Sequence, residues 1–419
     1  MKLLFVHQNM PGQYREMLRW LVAIGGHQIV FLTQRRDVKL KGVAVRVYSP
    51  IHRPSDDAFG LSKPWEESSA AGYSAAAAAR KLEDDDGFVP DIVIGHTGWG
   101  ELTFFKDVWP HVPIIGFFEY YYQLTGGIVG YDPEEPVGPH AAYFARGRNV
   151  VPHMNIETVD QGICPTYWQR DRFPESFHHK LFVCHDGIRT DLLQPDREVS
   201  LRLERLERPL TRDDEVVTYV ARNLERVRGF HVVMRALPQI LKERPKARVI
   251  IVGGEETSYG RDIEHPKGLR GQLAEELGTN VDWSRVHFLG RVSYPDFCNV
   301  IKLGRCHLYM SMPFVLSWSL LEAMSMEATV IGSDTEPVRE VIEHGKTGLL
   351  ADYFRPETLA RQVVDVLARP DDYAHIGPAA RAQTVERYDF ATRCLPEHVA
   401  QINALVPEAL ALKVRIPGS

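Results

Sequence analysis

The sequence predicts an α/β protein built from two doubly wound domains, and three observations carry that expectation. Short apolar runs of strand length alternate with stretches of helical spacing, and this alternation starts again near the middle of the chain. The 419 residues also exceed what one ordinary hydrophobic core accommodates. Repeated strand–helix units of this kind pair into mostly parallel sheets covered on both faces.

In the first half, residues 3–6 read as a buried strand and residues 7–13 as a polar loop. Tyr14, Met17, Leu18, Leu21 and Val22 then recur at helical spacing, and Gly25 and Gly26 stop the helix. Residues 29–32, 43–47, 91–94 and 112–115 read as further strands, with an alanine-rich helix over 73–82. The acidic run Asp84, Asp85, Asp86 reads as a solvated loop tip.

A charged stretch over 201–214 precedes the second series. Residues 216–220 read as its first strand, and Phe230, Val233, Met234, Leu237 and Leu241 mark an amphipathic helix. Strands are expected at 248–252, 286–289, 307–310, 328–331 and 348–351. The expected boundaries are 1–198 for the first domain and 199–390 for the second, with a helix at about 391–419 returning to the first. A cleft between the carboxyl ends of the two sets of strands is the expected site.

Composition narrows the class. A chain that is 44% hydrophobic and 25% charged is ordinary for a soluble globular protein, and a net charge of −6 argues against nucleic-acid binding through bulk positive charge. Cys164, Cys184, Cys298, Cys306 and Cys394 are odd in number and scattered, which predicts reduced thiols, a cytoplasmic setting and no zinc site. No apolar run reaches membrane-spanning length, so any membrane contact is expected to be peripheral.

Two segments carry candidate chemistry. The loop after the strand at 216–220 holds Arg222, Arg226 and Arg228, followed by Gly229. Arg222 and Arg228 are spaced to pinch a diphosphate through charge-assisted hydrogen bonds. Further on, Phe314, Val315, Leu316, Ser317, Trp318, Ser319 and Leu320 lead into Glu322. Glu322 follows Ser319 by three residues, the spacing of a helix capping box; the same helix start also offers the N–H groups of residues 317–320 to a phosphate. Local sequence leaves both readings open.

With these residues the chain resembles the retaining glycosyltransferases of family 4. Their Gly-Arg…Lys-Gly diphosphate loop is matched by Arg222 with Arg228 and Gly229, arginine standing for the usual lysine. Further matches are the runs Arg248–Gly254 and 286–292, which includes Arg291 and Val292, followed by those at 321–334 and 337–350. Residues 185–191 fall at the family's turn before the linker. The resemblance implies the GT-B fold, with two Rossmann-like domains facing a cleft and a C-terminal helix crossing back. It also implies transfer of a sugar from a nucleotide-diphosphate donor to an unidentified acceptor hydroxyl, without a metal or other cofactor. Arg222 and Arg228 would stabilise the leaving phosphate, and domain closure around the donor is expected.

Within that resemblance Glu322 matches the second glutamate of a paired motif, the one that accepts hydrogen bonds from the ribose. The first glutamate, which meets the donor sugar, is replaced by Phe314. On the acceptor side the family's Thr-x-His strand end becomes Glu119, followed by Tyr120, and Glu119 is the candidate catalytic carboxylate. Pro11, Gly12, Gln13 and His96 also lie at strand carboxyl ends and are expected to line the acceptor side.

Other classes make different demands. A dinucleotide oxidoreductase needs Gly-x-Gly-x-x-Gly after the first strand, which residues 7–12 lack. A metal-dependent transferase needs an acidic cluster after a strand, whereas Asp84–Asp86 precede one. A non-catalytic nucleotide-binding protein that keeps the fold is the remaining alternative, because both departures, Phe314 and Glu119, fall near the sugar.

Overall fold

The computed structural model describes residues 1–204, 206–260 and 263–415. The chain forms two compact units, Met1–Gly187 with Phe390 onward, and Ile188–Asp389. The division thus falls at 187/188 and 389/390. Of the expected C-terminal helix, residues 416–419 lie outside the described residues.

The first unit contains β1 (Lys2–Val6), β2 (Gln28–Thr33), β3 (Ala44–Val47), β4 (Ile92–His96), β5 (Ile114–Phe117), β6 (Gln161–Cys164) and β7 (Leu181–Val183). They form one parallel sheet in the order β3-β2-β1-β4-β5-β6-β7. Side chains alternate across β1. Leu3 and Phe5 join Leu18 and Leu21 of the helix Arg15–Ile24 on one face, together with Leu395, Val399 and Ile402 of the returning helix Leu395–Leu405. Leu4 and Val6 join Ala75, Ala79 and Leu82 of the helix Lys63–Asp86 on the other. Burying Leu395, Val399 and Ile402 stabilises by about 1.5–3 kcal/mol each, so the C-terminal helix is an integral wall of the first core.

In the second unit β8 (Ser200–Leu201) and β9 (Leu210–Thr211) make a short antiparallel pair. A parallel sheet follows, built from β10 (Val216–Asn223), β11 (Arg248–Gly254), β12 (Val286–Gly290), β13 (Cys306–Tyr309), β14 (Val330–Ser333) and β15 (Leu349–Ala351). Its order is β12-β11-β10-β13-β14-β15. In each parallel sheet the strand that comes first in sequence has neighbours on both sides, β1 between β2 and β4 and β10 between β11 and β13. The loops leaving those strands in opposite directions open a crevice at the carboxyl edge, the place where such sheets bind ligands.

The structure departs from the sequence expectations in identifiable places. Asp84, Asp85 and Asp86 are not a loop tip: they form the exposed last turn of the helix Lys63–Asp86, which ends at Gly87 in the left-handed conformation. That helix starts ten residues before the alanine-rich run, because Pro64 at its first turn and Glu66 favour initiation. Strands β6 and β7 were not expected. Gln161-Gly162 opens the first, and the second has three residues, too few to display a period.

Gly229 separates β10 from the helix Phe230–Glu243. Its φ is +66°, and a Cβ there would lie 2.4 Å from Cβ of Met310. The substitution G229A is therefore expected to lower stability by about 2 kcal/mol, through strain plus overlap. A denaturant-midpoint comparison checks this; an unchanged midpoint would show that the Met310 backbone yields.

Candidate functional site

In the second unit the loop after β10 rises beside the segment after β13. Arg222, near the end of β10, is exposed, with no hydrogen bond or ion pair to any other described residue. Arg228 is held by neutral groups. Its guanidinium donates to the carbonyl of Val315 at 2.9 Å and to Oγ of Ser311 at 3.3 Å. The same group lies 5.3 Å from the Phe314 ring centre and 5.7 Å from that of Tyr259. Arg228 is thus fixed in place, and among the described residues no carboxylate pairs with it. Its charge remains available to an anion at the switch point.

Phe314 is 5% exposed and meets Tyr259 edge-on at 4.9 Å. Phe314, at the position where the resemblance expects a glutamate, is thus an aromatic support for Arg228. Arg291 follows β12 and donates to Oδ1 of Asn223 at 2.9 Å and to Glu256 at 2.6 Å, and Val292 is half-buried beside it.

The helix Trp318–Ser325 corrects two expectations. Its N-cap is Ser317, not Ser319, with Oγ of Ser317 accepting from the Ser319 N–H at 3.4 Å, so the capping box with Glu322 is not formed. Instead Glu322 accepts from the Tyr294 hydroxyl at 2.6 Å, a hydroxyl-to-carboxylate bond of the kind a ribose would make. Nor are the N–H groups of residues 317–320 open to phosphate as a set. Those of Ser317, Ser319 and Leu320 donate to the Tyr309 hydroxyl, the Ser317 hydroxyl and the Ser317 carbonyl. Leu316 and Leu320 point into the core, and Trp318 is 37% exposed. An anion at this edge would therefore be met by the arginine loop rather than by the helix start.

In the first unit the carboxyl edge at β1, β4 and β5 gathers a histidine pair and carboxylates. His96 is 2% exposed, and its Nδ1 accepts from the Gly98 N–H at 2.9 Å, which puts the proton of the neutral ring on Nε2. That nitrogen is 3.6 Å from Oε2 of Glu119, whose side chain is 33% exposed. His7 meets the His96 ring edge-on at 5.1 Å; burial first, then the repulsion a protonated His96 would exert, pushes its pKa down to about 3, so it stays neutral. Gly12 passes so close that a Cβ would lie 2.9 Å from the His7 ring. Beside half-buried Pro11, Gln13 lines a largely apolar cavity of about 30 Å³ with Tyr14, Asp186 and His398.

Tyr120 does not offer a free ring. Its hydroxyl accepts from the Ile128 N–H at 3.2 Å, and its ring is covered by Tyr122 at 5.0 Å and Trp168 at 6.2 Å. The exposed aromatic here is Trp99, stacked on His96 at 6.1 Å. Sequence reading missed His7, Trp99 and Glu101. Glu101 is buried, its carboxyl raised by desolvation and bonded by the Tyr48 hydroxyl at 2.8 Å. His7 and Trp99 directly follow or nearly follow strands, the one signal that pointed to them.

Comparison with known proteins bears on the family and the fold. Residues 25–193 match the glycosyl transferase family 4 group and residues 203–383 match the glycosyl transferases group 1. The chain belongs to the group 1, family 4 glycosyltransferases. A GDP-mannose-dependent α-(1-6)-phosphatidylinositol monomannoside mannosyltransferase of Mycolicibacterium smegmatis is 27% identical over 54% of this chain and 58% of its own length. A D-inositol 3-phosphate glycosyltransferase of Streptomyces scabiei is 26% identical over 50% of this chain and 46% of its own length. The chain thus spans about half the length of the curated relatives it matches. Among solved structures, Anabaena HepE in complex with UDP and glucose superposes with a TM-score of 0.66 at 16% identity, covering 96% of this chain and 99% of that one. A sucrose-phosphate synthase from Thermosynechococcus elongatus gives 0.69 at 15% identity, covering 96% and 99%. These likenesses establish the GT-B fold.

Proposed function

We propose that the protein is a retaining glycosyltransferase that moves a sugar from a nucleotide-diphosphate donor to an acceptor hydroxyl, in glycan or glycoconjugate biosynthesis. The observation that carries the reading is the cationic pair Arg222 and Arg228 on the β10 loop, neither neutralised by a carboxylate among the described residues. Negative charge grows on the departing phosphate as the glycosidic bond breaks, and fixed cations meet it without reorganising. Glu322, now bonded by Tyr294, would exchange that hydroxyl for those of the ribose. Glu119, backed by the Nε2 proton of His96, would serve the acceptor. The relatives' names support a GDP- or UDP-linked sugar, and inositol-containing acceptors are among the classes they suggest.

The step is proposed to need no metal, since arginines supply the positive charge. A thermal-shift screen of UDP, GDP and ADP with their sugars is expected to give one base that raises the melting temperature, because a ligand selective for the folded form stabilises by mass action. No shift with any of them would sink the reading. Transfer from that donor should persist in excess chelator. Loss of turnover in chelator, restored by magnesium or manganese, would overturn the metal-free proposal.

Among the described residues no helix is long and apolar enough to cross a membrane, so a lipid acceptor would be met from the surface. A second reading, a non-catalytic nucleotide-binding protein, is favoured by one observation: the two departures at Phe314 and Glu119 both concern the sugar. Tight nucleotide binding with no transfer or hydrolysis across the donor panel would establish it.

A further inference from the structure

Glu225 lies inside the arginine loop, yet it faces away from solvent and serves no step described above. It is 6% exposed, and its Oε2 accepts from the consecutive backbone N–H groups of Ser258, Tyr259 and Gly260 at 3.2, 3.0 and 3.1 Å. Its Oε1 is buried with no hydrogen-bond partner among the described residues. Among the described residues the loop after β11 is therefore the carboxylate's anchor, and the carboxylate is the group on which three of that loop's N–H groups converge. Three converging peptide N–H groups make a strong anion site, and a carboxylate saturating it is costly to remove. A second bond reinforces the link: Nδ2 of Asn223 donates to Oγ of Ser258 at 2.6 Å.

What this clasp holds in place is the Tyr259 ring. That ring is 41% exposed, packs edge-on against Phe314 and lies beside the Arg228 guanidinium. Fixing the backbone at three successive residues limits the directions in which the Tyr259 ring can be presented, and the Phe314 contact then limits its rotamers. The result is an aromatic surface next to the diphosphate cation, at the position where the family's sugar-binding glutamate is absent.

We propose that Glu225 is a positioning residue for donor recognition: by pinning the Ser258–Gly260 backbone it presents Tyr259, with Phe314 behind it, as an aromatic wall against the sugar of the nucleotide-diphosphate donor. The proposal rests on the donor reading given above and adds a sugar contact made by a ring face instead of a carboxylate. Such a wall recognises the C–H face of a hexose and depends little on any single hydroxyl.

The test is calorimetric binding of UDP, UDP-glucose, GDP and GDP-mannose to the full chain and to E225A, Y259A, Y259F and the double variant E225A/Y259A, with R228A as the control. Y259A is expected to weaken the preferred diphosphate sugar about tenfold while the matching diphosphate alone changes less than about threefold, and Y259F should bind as the wild type. E225A should reproduce the Y259A pattern, and the double variant should bind no more weakly than Y259A alone, because both act through one ring. A merely structural role for Glu225 would instead weaken sugar and diphosphate together and multiply with Y259A, and that outcome overturns the proposal. Equal binding by wild type and Y259A overturns it too. If E225A does not fold, E225D, which withdraws the carboxylate by one methylene, enters the same cycle with the same expected pattern. A wild type that binds none of the four ligands defeats the donor reading and this inference together, whereas binding that R228A abolishes but Y259A and E225A leave untouched defeats this inference alone.

Discussion

Replacing Arg228 with alanine should lower kcat/KM by about 10²–10³-fold, the scale seen when one preorganised group facing transition-state charge is removed. The argument is geometric. The guanidinium is already fixed by Val315, Ser311 and two rings before any donor arrives, so no binding energy goes into orienting it. Because the diphosphate is anionic in the ground state as well, affinity for the nucleoside diphosphate should fall in the same variant. R228K separates charge from shape. A lysine restores the positive charge but cannot bond Val315 and Ser311 with one planar fork while facing the phosphate, so it should recover part of the loss and not all of it. The substitution also removes ring contacts worth about 1 kcal/mol each, so the melting temperature of each variant must accompany the kinetics. A loss below threefold in R228A, with the fold intact, would remove Arg228 from the reaction.

How far the sequence revealed this site depends on the range of the interaction that forms it. Contacts spaced along one element were readable: the βα alternation gave the strands that flank both switch points, and the arginine loop stood out because Arg222, Arg228 and Gly229 lie within eight residues. Contacts between distant segments were not. That Ser317 and not Ser319 caps the helix follows from the extended backbone at Ser317 and from the Tyr309 hydroxyl that takes its N–H, neither visible in a serine-rich string. The bond from Tyr294 to Glu322 crosses from one helix to another. Glu225 stands among arginines in the sequence, and only the tertiary approach of the loop after β11 makes it a buried acceptor. Phe314 was legible as a departure, but its function as support for Arg228 needed Tyr259, 55 residues away in sequence. The Tyr120 ring, named beside Glu119 on the acceptor side, shows the converse, since nothing in its local sequence reveals that Tyr122 and Trp168 cover it.

Changing Glu119 to glutamine should reduce kcat by at least about 10²-fold while leaving donor affinity within about threefold of the wild type, the range expected when a general base is removed and binding groups are kept. The carboxylate follows β5 and its backbone carbonyl is held by Nε2 of Gln169 at 2.7 Å, so the amide variant keeps the same main-chain position. One face of the carboxylate meets Nε2 of His96, and a third of the side chain reaches solvent, which leaves an oxygen for an arriving hydroxyl. Because Nδ1 of His96 accepts from the Gly98 N–H, the proton of the neutral imidazole sits on Nε2, the nitrogen that faces Glu119. Glutamine conserves the volume and the acceptor toward His96 and loses the charge that would take the acceptor's proton. Steady-state kinetics with calorimetric donor binding separates the two effects. An E119Q protein with wild-type turnover would assign proton removal to the departing phosphate alone and reduce Glu119 to a partner that fills the valence of a buried histidine.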